Sequence, residues 1–398
     1  MIFLLNRVLS ALAGQMITVA VGWQIYSLTK SAFYLGLVGL VQFVPMFMLT
    51  LVVGYVADHF NRKLIICFCQ AVEAVFFLVL AIGSYNGMIT KEVILLIVFF
   101  MGAVNAFQGP CLQSMLPNIV EREDFPKATV WGSSVFQMAT IVGPALGGVL
   151  YAVGSGAVYS MAGVLILSSS LLILFVKAGA HQPNREPATI KSVLAGISFI
   201  KDKPVILGAI SLDLFAVLFG GATALLPIYA ATILRVGPLG LGLLRSAPAA
   251  GALIVSFLLA RRPITRRIGL SMFTAVIFFG LSTILFAISR SFILSFAMLF
   301  ILGASDVISV VIRATLVQMQ TPDVMRGRVS SVNQVFIGTS NQLGEFESGL
   351  TASWFGPVAA VLIGGVGTIC VVALWMKLFP RLRKIDRFAY DEKIEEDS

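Results

Sequence analysis

Gly54-Tyr55-Val56-Ala57-Asp58-His59-Phe60-Asn61-Arg62-Lys63 joins two long apolar segments of the chain. The stretch carries one acid, Asp58, followed by a basic pair, Arg62 and Lys63. Ionised groups are costly in the hydrocarbon core of a bilayer, so they predict a tight, solvated turn between two membrane spans. Asn61 suits such a turn, because Asn tolerates the left-handed backbone conformation better than most residues other than glycine.

The composition is that of an integral membrane protein. Hydrophobic residues make up 58% of the 398 residues and charged residues only 12%, which excludes a water-soluble globule. A membrane-spanning helix needs ~20 predominantly apolar residues. Twelve segments qualify: 3–26, 33–56, 64–84, 92–116, 127–151, 157–177, 204–232, 238–260, 268–288, 292–316, 328–353 and 357–378. The first lacks the basic region and cleavage site of a signal peptide, so it is predicted to be a retained span.

Lysine and arginine residues orient the bundle. When the loops are assigned alternately to the two sides, 21 of the 28 basic residues fall on the side of both termini. The opposite loops hold Lys30, Lys91, Arg235 and Arg290. Because basic residues accumulate on the cytoplasmic side, both termini are predicted to be cytoplasmic in a multi-pass protein of the plasma (inner) membrane.

The remaining composition excludes several kinds of partner. The net charge of +9 follows from the loop bias, and its scattered cations lack the aromatic platform of a nucleic-acid site. All four cysteines, Cys67, Cys69, Cys111 and Cys370, lie in apolar spans, and Cys67 and Cys69 have no histidine at ligand spacing. They are therefore predicted to be inert thiols, with no metal and no cofactor.

The chain repeats itself loosely after about 200 residues. Pro117 precedes a polar turn and a span, as Pro322 does, and Arg62-Lys63 has a counterpart in Arg266-Arg267. The repeat predicts two six-helix halves. The halves are assigned to 1–177 and 204–378, the cytoplasmic linker to 178–203 and the cytoplasmic tail to 379–398. Apolar residues at helical spacing after 190 predict an amphipathic helix of the linker on the cytoplasmic membrane face.

The loop resembles the signature of the major facilitator superfamily, G-x-x-x-D-[RK]-x-G-[RK]-[RK]. Gly54, Asp58, Arg62 and Lys63 match it, whereas His59 and Asn61 depart from it. The resemblance implies an all-α integral membrane protein with twelve transmembrane helices in two pseudo-symmetric six-helix halves. It also implies that Asp58 meets the N-terminal end of the eleventh span near Arg328 and closes the cytoplasmic side, as a gate stabilised by the helix dipole.

A second motif, Gly143-Pro144-Ala145-Leu146-Gly147-Gly148, resembles the antiporter motif of exporting facilitators. Pro144 removes a backbone hydrogen bond, and Gly143, Gly147 and Gly148 allow close helix packing; a merely kinked helix is the alternative. Further stretches, including Leu116-Pro117-Asn118-Ile119-Val120 and Gln320-Thr321-Pro322, resemble the branch of the superfamily with enterobactin exporters and macrolide efflux pumps. Relatives in this branch often have a longer N-terminus, so a few upstream residues are expected to be missing.

Ionisable groups inside spans cost at least ~2.5 kcal/mol each at mid-depth and are functional candidates by default. The proton-coupling candidates are Asp213, Asp306 and Glu345, and the possible charge partners are Arg7, Arg245 and Arg313. Asp306 and Arg313 are about 10 Å apart along one helix, so each is predicted to pair with a neighbouring helix. Arg7 and Arg313 are close enough to the inner surface to reach it, which favours a structural role.

Asp213 is the carboxylate preferred for proton coupling, with Asp306 and Glu345 as alternatives. It lies near mid-depth in the seventh span, which lines the central cavity in the superfamily, and apolar neighbours favour its neutral form. Glu345 and Glu347 are two residues apart and cannot share a helix face, so at most one faces the cavity. Neutral hydrogen bonds to a substrate are assigned to Gln15, Gln137, Asn341 and Gln342.

Together these features predict a secondary active transporter, not an enzyme. The prediction is proton-coupled export of a small amphipathic compound, such as a siderophore or a drug, by a monomer in the lipid bilayer. A transporter of lysophospholipids or metabolites is the alternative. A membrane-embedded receptor or enzyme is less favoured, because the sequence has neither the H-E-x-x-H nor the G-x-S-x-G motif and no phosphate loop.

Overall fold

A computed structural model describes residues 1–116, 119–121, 123–176 and 190–388. Within helices, only the backbone is described at a few positions: 50, 51, 54, 55, 57, 58, 126, 190–193, 323 and 324. The described chain is helical throughout and contains no strand. This confirms the predicted all-α class.

The helices are α1 (Ile2–Thr29), α2 (Ala32–His59), α3 (Arg62–Tyr85), α4 (Lys91–Met115), α5 (Phe125–Val153), α6 (Ser155–Leu174), α7 (Ile190–Asp202), α8 (Pro204–Phe219), α9 (Leu226–Ile228), α10 (Gly237–Arg261), α11 (Ile268–Ile288), α12 (Phe292–Met319), α13 (Asp323–Phe355), α14 (Pro357–Leu378) and α15 (Pro380–Lys384). Short connections make consecutive long helices antiparallel, so the turns gather at two ends of the bundle. The terminal end carries Met1, the loop 262–267 and Phe379. The opposite end carries the turns at Lys30, Gly154 and Gly356.

Eleven helical segments within the described residues are long and apolar enough to cross a membrane. The twelfth predicted span, 328–353, lies within α13, which at 33 residues is also long enough. It is less apolar than the others because polar side chains recur along it, namely Arg326, Arg328, Asn333, Gln334, Asn341, Gln342, Glu345 and Glu347. A span of this kind is stable only where its polar groups face protein or a cavity.

Each half packs around apolar residues at helical spacing. In the first half, α1 contacts α5 and α6, α3 contacts α6, and α2 contacts α4. In the second half, α12 contacts α10 and α11, and α14 contacts α11. Phe77 and Tyr159 are fully buried in the first half, as are Met272 and Phe273 in the second. These two six-helix groups, with α8 and α13 completing the second, are the predicted architecture.

The seventh span, Pro204–Ile233, is not a uniform helix. After α8 it tightens into a 3-10 helix at Gly221–Leu225, and beyond α9 it widens into a π-helix at Tyr229–Ile233. A Cβ built on Gly221 would clash with the carbonyl oxygen of Gly344 in α13. The change of helix type therefore brings the seventh and eleventh spans into close contact, and such irregular segments often mark functional hinges.

The two halves touch through glycines from mid-depth to the opposite end. A Cβ built on Gly36 of α2 would lie 2.8 Å from the Cα of Gly349 in α13. Between α5 and α10, a Cβ on Gly148 would lie 3.1 Å from the Cα of Gly242. Residues this close leave no path for a solute at these two contacts.

The linker contains the predicted amphipathic helix, α7, but part of its apolar face packs on protein. A Cβ on Gly196 would lie 3.0 Å from the carbonyl oxygen of Arg328 in α13. Ile200 is buried with Val329 and Val332, whereas Leu194 stays exposed. Only part of α7 therefore lies on the membrane face as expected, because Ile200 packs against α8 and α13. The rest of the predicted linker, 178–189, lies outside the described residues.

Candidate functional site

A buried ion pair links the seventh and tenth spans. The Nη2 atom of Arg313 in α12 lies 3.2 Å from Oδ2 of Asp213 in α8, and both side chains are less than a tenth exposed. Arg313 was expected to reach the inner surface, but it is buried. Its guanidinium turns instead toward Asp213, because an isolated charge is costly in an apolar surrounding.

Arg313 has a second partner on α13. Its Nη1 atom donates a hydrogen bond of 3.0 Å to Oδ1 of Asn333, whereas its Nε is buried without a partner among the described residues. One guanidinium therefore joins α8, α12 and α13. Asn333 was missed in the sequence, although it is a polar residue on a span, which was the available signal.

A second carboxylate belongs to the same cluster. Asp306, two turns before Arg313 on α12, interacts electrostatically with both Asp213 and Arg313. No lysine or arginine of the described chain lies within 4.0 Å of its carboxylate. Asp306 therefore shares one cation with Asp213 without a direct contact to it, which agrees with the expectation that Asp306 and Arg313 do not touch.

A small pocket opens between the two carboxylates. It is lined by Asp213, Ala216 and Val217 of α8, Val276 and Phe279 of α11, and Ser305, Asp306 and Ser309 of α12. The Ser309 hydroxyl is buried and has no partner among the described side chains. A buried hydroxyl beside two carboxylates suits a bound water molecule, which needs two to four polar partners. We call the residues Asp213, Asp306, Ser309, Arg313 and Asn333 the carboxylate cluster.

A separate charged pair belongs to the second half, where it borders the first half. Glu345 of α13 interacts electrostatically with Arg245 of α10. A Cβ built on Gly39 of α2 would lie 2.9 Å from Oε2 of Glu345, so the Glu345 side chain packs directly against this glycine. Glu347 instead accepts a hydrogen bond of 2.8 Å from Thr351, so the two glutamates have different surroundings. Glu345 thus belongs to the contact between the halves, apart from the carboxylate cluster.

The four predicted substrate-binding side chains do not form one cluster. Gln137 of α5 donates a hydrogen bond of 3.0 Å to the carbonyl oxygen of Ala249 in α10, so it bridges the halves. Gln15 packs on Gly143. Asn341 is exposed at mid-depth of α13, whereas the Oε1 of Gln342 is buried without a partner among the described residues. Of these four residues, Asn341 is the most exposed.

The glycine motif of α5 contacts two different helices. Cβ atoms on Gly143 and Gly147 would approach Gln15 and Met16 of α1. The next residue, Gly148, faces Gly242 of α10 in the other half. Nearby, Ser246 of α10 donates a hydrogen bond of 2.6 Å to the carbonyl oxygen of Ile141. The motif therefore packs α5 against its own half and also against the other half.

Gly148→Ala is expected to loosen the contact between the halves. The added methyl group would lie 2.6 Å from the carbonyl oxygen of Pro238, and overpacking of this kind typically costs about 1–3 kcal/mol. The buried Ser246, replaced by cysteine, should then react faster with a thiol reagent applied from the opposite end. Gly14→Ala is the control, because no atom lies within 4 Å of its Cβ position. Equal labelling rates in the two variants would contradict the assigned contact.

The signature loop is described only in part. Asn61 has a φ of −66°, not the expected left-handed conformation, and it caps α3 by accepting a hydrogen bond from the amide of Lys63 at 3.0 Å. Arg62 Nη1 donates to the carbonyl oxygen of Ser114 in α4 at 3.3 Å. The predicted gate contact of Asp58 lies outside the described side chains, as does Gly54 of the motif. Arg328, its expected neighbour, lies in the second turn of α13, which begins at Asp323.

A buried polar group near the terminal end of the first half was also missed. Asn6 of α1 donates hydrogen bonds to Gln70 of α3 at 2.9 Å and to the Ser169 hydroxyl of α6 at 2.7 Å. These residues are fully buried, so they tie three helices together. Arg7, the adjacent residue, reaches Gly132 of α5, which is consistent with a structural role.

Comparison with known proteins gives matches over nearly the whole chain. The family described as transmembrane secretion effectors matches residues 1–395. The enterobactin exporter EntS of Citrobacter koseri is 27% identical over 389 residues, covering 96% of this chain and 91% of that protein. The protein of the same name from Escherichia coli is 26% identical over 387 residues, with the same coverage.

Solved structures with the same fold are more distant in sequence. A bacterial homologue of the human lysosomal transporter Spinster, in an inward-facing and occupied conformation, superimposes with a TM-score of 0.76 at 14% identity, covering 96% of this chain and 97% of that one. A mutant of the nucleoside transporter NupG superimposes with a TM-score of 0.73 at 16% identity, covering 95% and 98%. Both share the overall fold described above.

Proposed function

The chain belongs to the transmembrane secretion effector family of the major facilitator superfamily, and we propose that it exports a small amphipathic compound in exchange for protons. The substrate class is a siderophore or a similar organic molecule, supported by the two enterobactin exporters that match 96% of the chain. The bias of lysine and arginine toward the terminal end supports a cytoplasmic position for that end in the inner membrane.

The contacts between the halves support transport by alternating access. Gly36 meets Gly349 and Gly148 meets Gly242 from mid-depth to the opposite end, so these contacts close the periplasmic side in the proposed orientation. Rocking of one half against the other would break them and release the substrate outward. Glu345 of the second half packs against Gly39 of the first half, so this contact would also separate on opening.

The carboxylate cluster is the observation that supports proton coupling most directly. Asp213 and Arg313 neutralise each other across 3.2 Å. Asp306 adds one further negative charge when it is ionised, and no second cation compensates it among the described neighbours. In an apolar span an uncompensated charge is costly. The cluster is therefore neutral when it holds one proton, and we assign that proton to Asp306, the carboxylate without a cation in direct contact.

Release of the proton requires a change around Arg313. When Asp306 ionises, one guanidinium faces two carboxylates. Because Asp306 and Arg313 lie on the same helix, a movement of α12 relative to α8 changes the distance from Arg313 to Asp213. Asn333 of α13 holds the guanidinium at 3.0 Å during this movement. Because α13 also carries Glu345 at the contact between the halves, proton release and opening are linked through one helix.

The substrate lies in the cavity between the halves, near Asn341, and not at the carboxylate cluster. The cluster pocket is small and lies between α8, α11 and α12 within the second half. Asn341 is exposed at mid-depth on α13, which supports this position for the substrate. Proton and substrate therefore bind at separate places and are coupled through the conformation.

Transport into inside-out vesicles tests this function. The purified protein is reconstituted, the vesicle lumen is made acidic, and uptake of a radiolabelled catecholate siderophore is followed. Uptake that stops on addition of a protonophore, with alkalinisation of the lumen as the siderophore enters, is the expected result. Uptake that is unchanged by the protonophore would contradict proton coupling while retaining the transport function. No uptake of any siderophore tested, with intact proton flux driven by another amphipathic compound, would contradict only the substrate class.

A further inference from the structure

Two segments from distant parts of the sequence, which carry eight basic side chains, meet at the terminal end of the second half. The first group follows α10 and the second accompanies α15: Arg261, Arg262, Arg266, Arg267, Arg381, Arg383, Lys384 and Arg387. All eight are exposed. We call them the basic surface.

Backbone hydrogen bonds hold the two groups side by side. The amide of Arg267 donates to Oδ1 of Asp386 at 3.0 Å, and the amide of Gly269 donates to the carbonyl oxygen of Ile385 at 3.0 Å. Leu382 is fully buried between the groups and contacts Gly269 through its carbonyl oxygen. The two groups of the basic surface are therefore held in a defined relative position.

Within the described residues, positive charge on this surface is almost uncompensated. Asp386 is the only acid among the described residues of the two segments, 261–267 and 379–388. Its carboxylate already accepts from the Arg267 amide and lies 3.9 Å from Nε of Arg387. The remaining cations face solvent, which is costly for a cluster of like charges unless anions bind to it.

The depth of the cations in the membrane indicates which kind of anion binds to them. Arg261 ends α10, Arg267 precedes α11, and Arg381 follows α14 within three residues, so all three lie where spans leave the hydrocarbon. Exposed apolar side chains continue from the cations into the spans, namely Phe257, Leu258, Leu270 and Leu378. The Arg261 guanidinium lies over the Phe257 ring at 4.3 Å. A ligand with both an anionic group and a hydrocarbon chain satisfies both parts of this surface.

We propose that the basic surface binds the headgroups of anionic phospholipids, with their acyl chains along α10 and α14. The rule that places basic residues in cytoplasmic loops requires only their number on one side. That rule does not explain why the buried Leu382 and the capping Asp386 hold these basic residues together. A soluble anion such as free phosphate would match the cations but leave the apolar part uncovered.

Native mass spectrometry of the full-length protein in detergent tests the proposal. Phosphatidylglycerol and phosphatidylcholine with the same acyl chains are titrated in parallel. The first variant combines Arg266→Gln, Arg381→Gln and Arg383→Gln. The matched control removes three cations from the opposite end: Lys30→Gln, Arg235→Gln and Arg290→Gln. Thermal inactivation of both variants is recorded to confirm that they are folded.

The wild-type protein and the control are expected to bind phosphatidylglycerol in preference to phosphatidylcholine. The first variant should lose this preference, because each cation removed near the membrane surface weakens binding of an anionic lipid about fivefold. Equal loss in the control, or retained preference in the first variant, would overturn the proposal. Displacement of the lipid by millimolar inorganic phosphate would also overturn it, since the acyl chain would then contribute nothing.

Discussion

Arg313→Met is expected to abolish transport and to destabilise the protein more than any other single change considered for the spans. It leaves Asp213 and Asp306 in one apolar pocket without their cation, and removing one partner of a buried ion pair typically costs about 3–5 kcal/mol. Thermal inactivation in detergent and siderophore uptake by reconstituted vesicles measure the two effects. Arg290→Met is the control, because Arg290 is exposed at the opposite end.

A second substitution separates stability from coupling in this prediction. In the double variant Asp213→Asn/Arg313→Met, both members of the ion pair are neutral, so thermal stability should largely return. Proton-driven uptake should stay absent, because the cation that the two carboxylates share is gone. Recovery of uptake together with stability would show that the pair is only structural.

Asp306→Asn is expected to remove proton-driven uptake while leaving the protein stable. The Asp213–Arg313 pair remains intact and neutral at 3.2 Å, so the cluster has no charge left for a proton to compensate. Uptake in response to an acidic lumen should fall to the level of empty vesicles, whereas binding of the siderophore, measured by fluorescence quenching, should persist. Thermal stability close to wild type is part of the expectation.

Asp213→Asn provides the matched comparison for Asp306→Asn. It too leaves one carboxylate for one arginine, so coupling should again be lost, but it also breaks the observed ion pair and should lower stability. Full gradient-driven uptake in both variants would disqualify the carboxylate cluster and transfer the coupling role to Glu345. Uptake retained only in Asp306→Asn would return the proton to Asp213, the carboxylate preferred from the sequence.

The spans could be predicted because a bilayer imposes a length and a composition that the sequence displays directly. Most of the predicted spans match a described helix closely, including the polar α13, whose ends lie beyond the predicted 328–353. The irregular part of the seventh span was not predicted. An apolar run from 204 to 232 carries no pattern that distinguishes α-helical from 3-10 or π-helical turns, and the close approach of Gly221 to Gly344 depends on the tertiary structure.

The candidate site was predictable as a set of residues but not as an arrangement. Intramembrane charges are rare, so Asp213, Asp306 and Arg313 could be selected from the sequence. Which carboxylate contacts the arginine depends on how α8 and α12 are rotated about their axes. Because both helices are apolar on all sides, their sequences do not specify this rotation. For the same reason the direction of the Arg313 side chain was not predicted, and Asn333 was overlooked.

The segment that joins Arg267 and Gly269 to Ile385 and Asp386 has a consequence for biosynthesis. The first amides of α11 receive their partners from residues that leave the ribosome more than a hundred positions later. α11 therefore enters the membrane with its start uncapped, and the second half acquires its final form only when synthesis is almost complete. A chain that terminates before Ile385 contains every span but lacks these hydrogen bonds. The start of α11 then stays uncapped and is exposed to the quality-control proteases of the membrane.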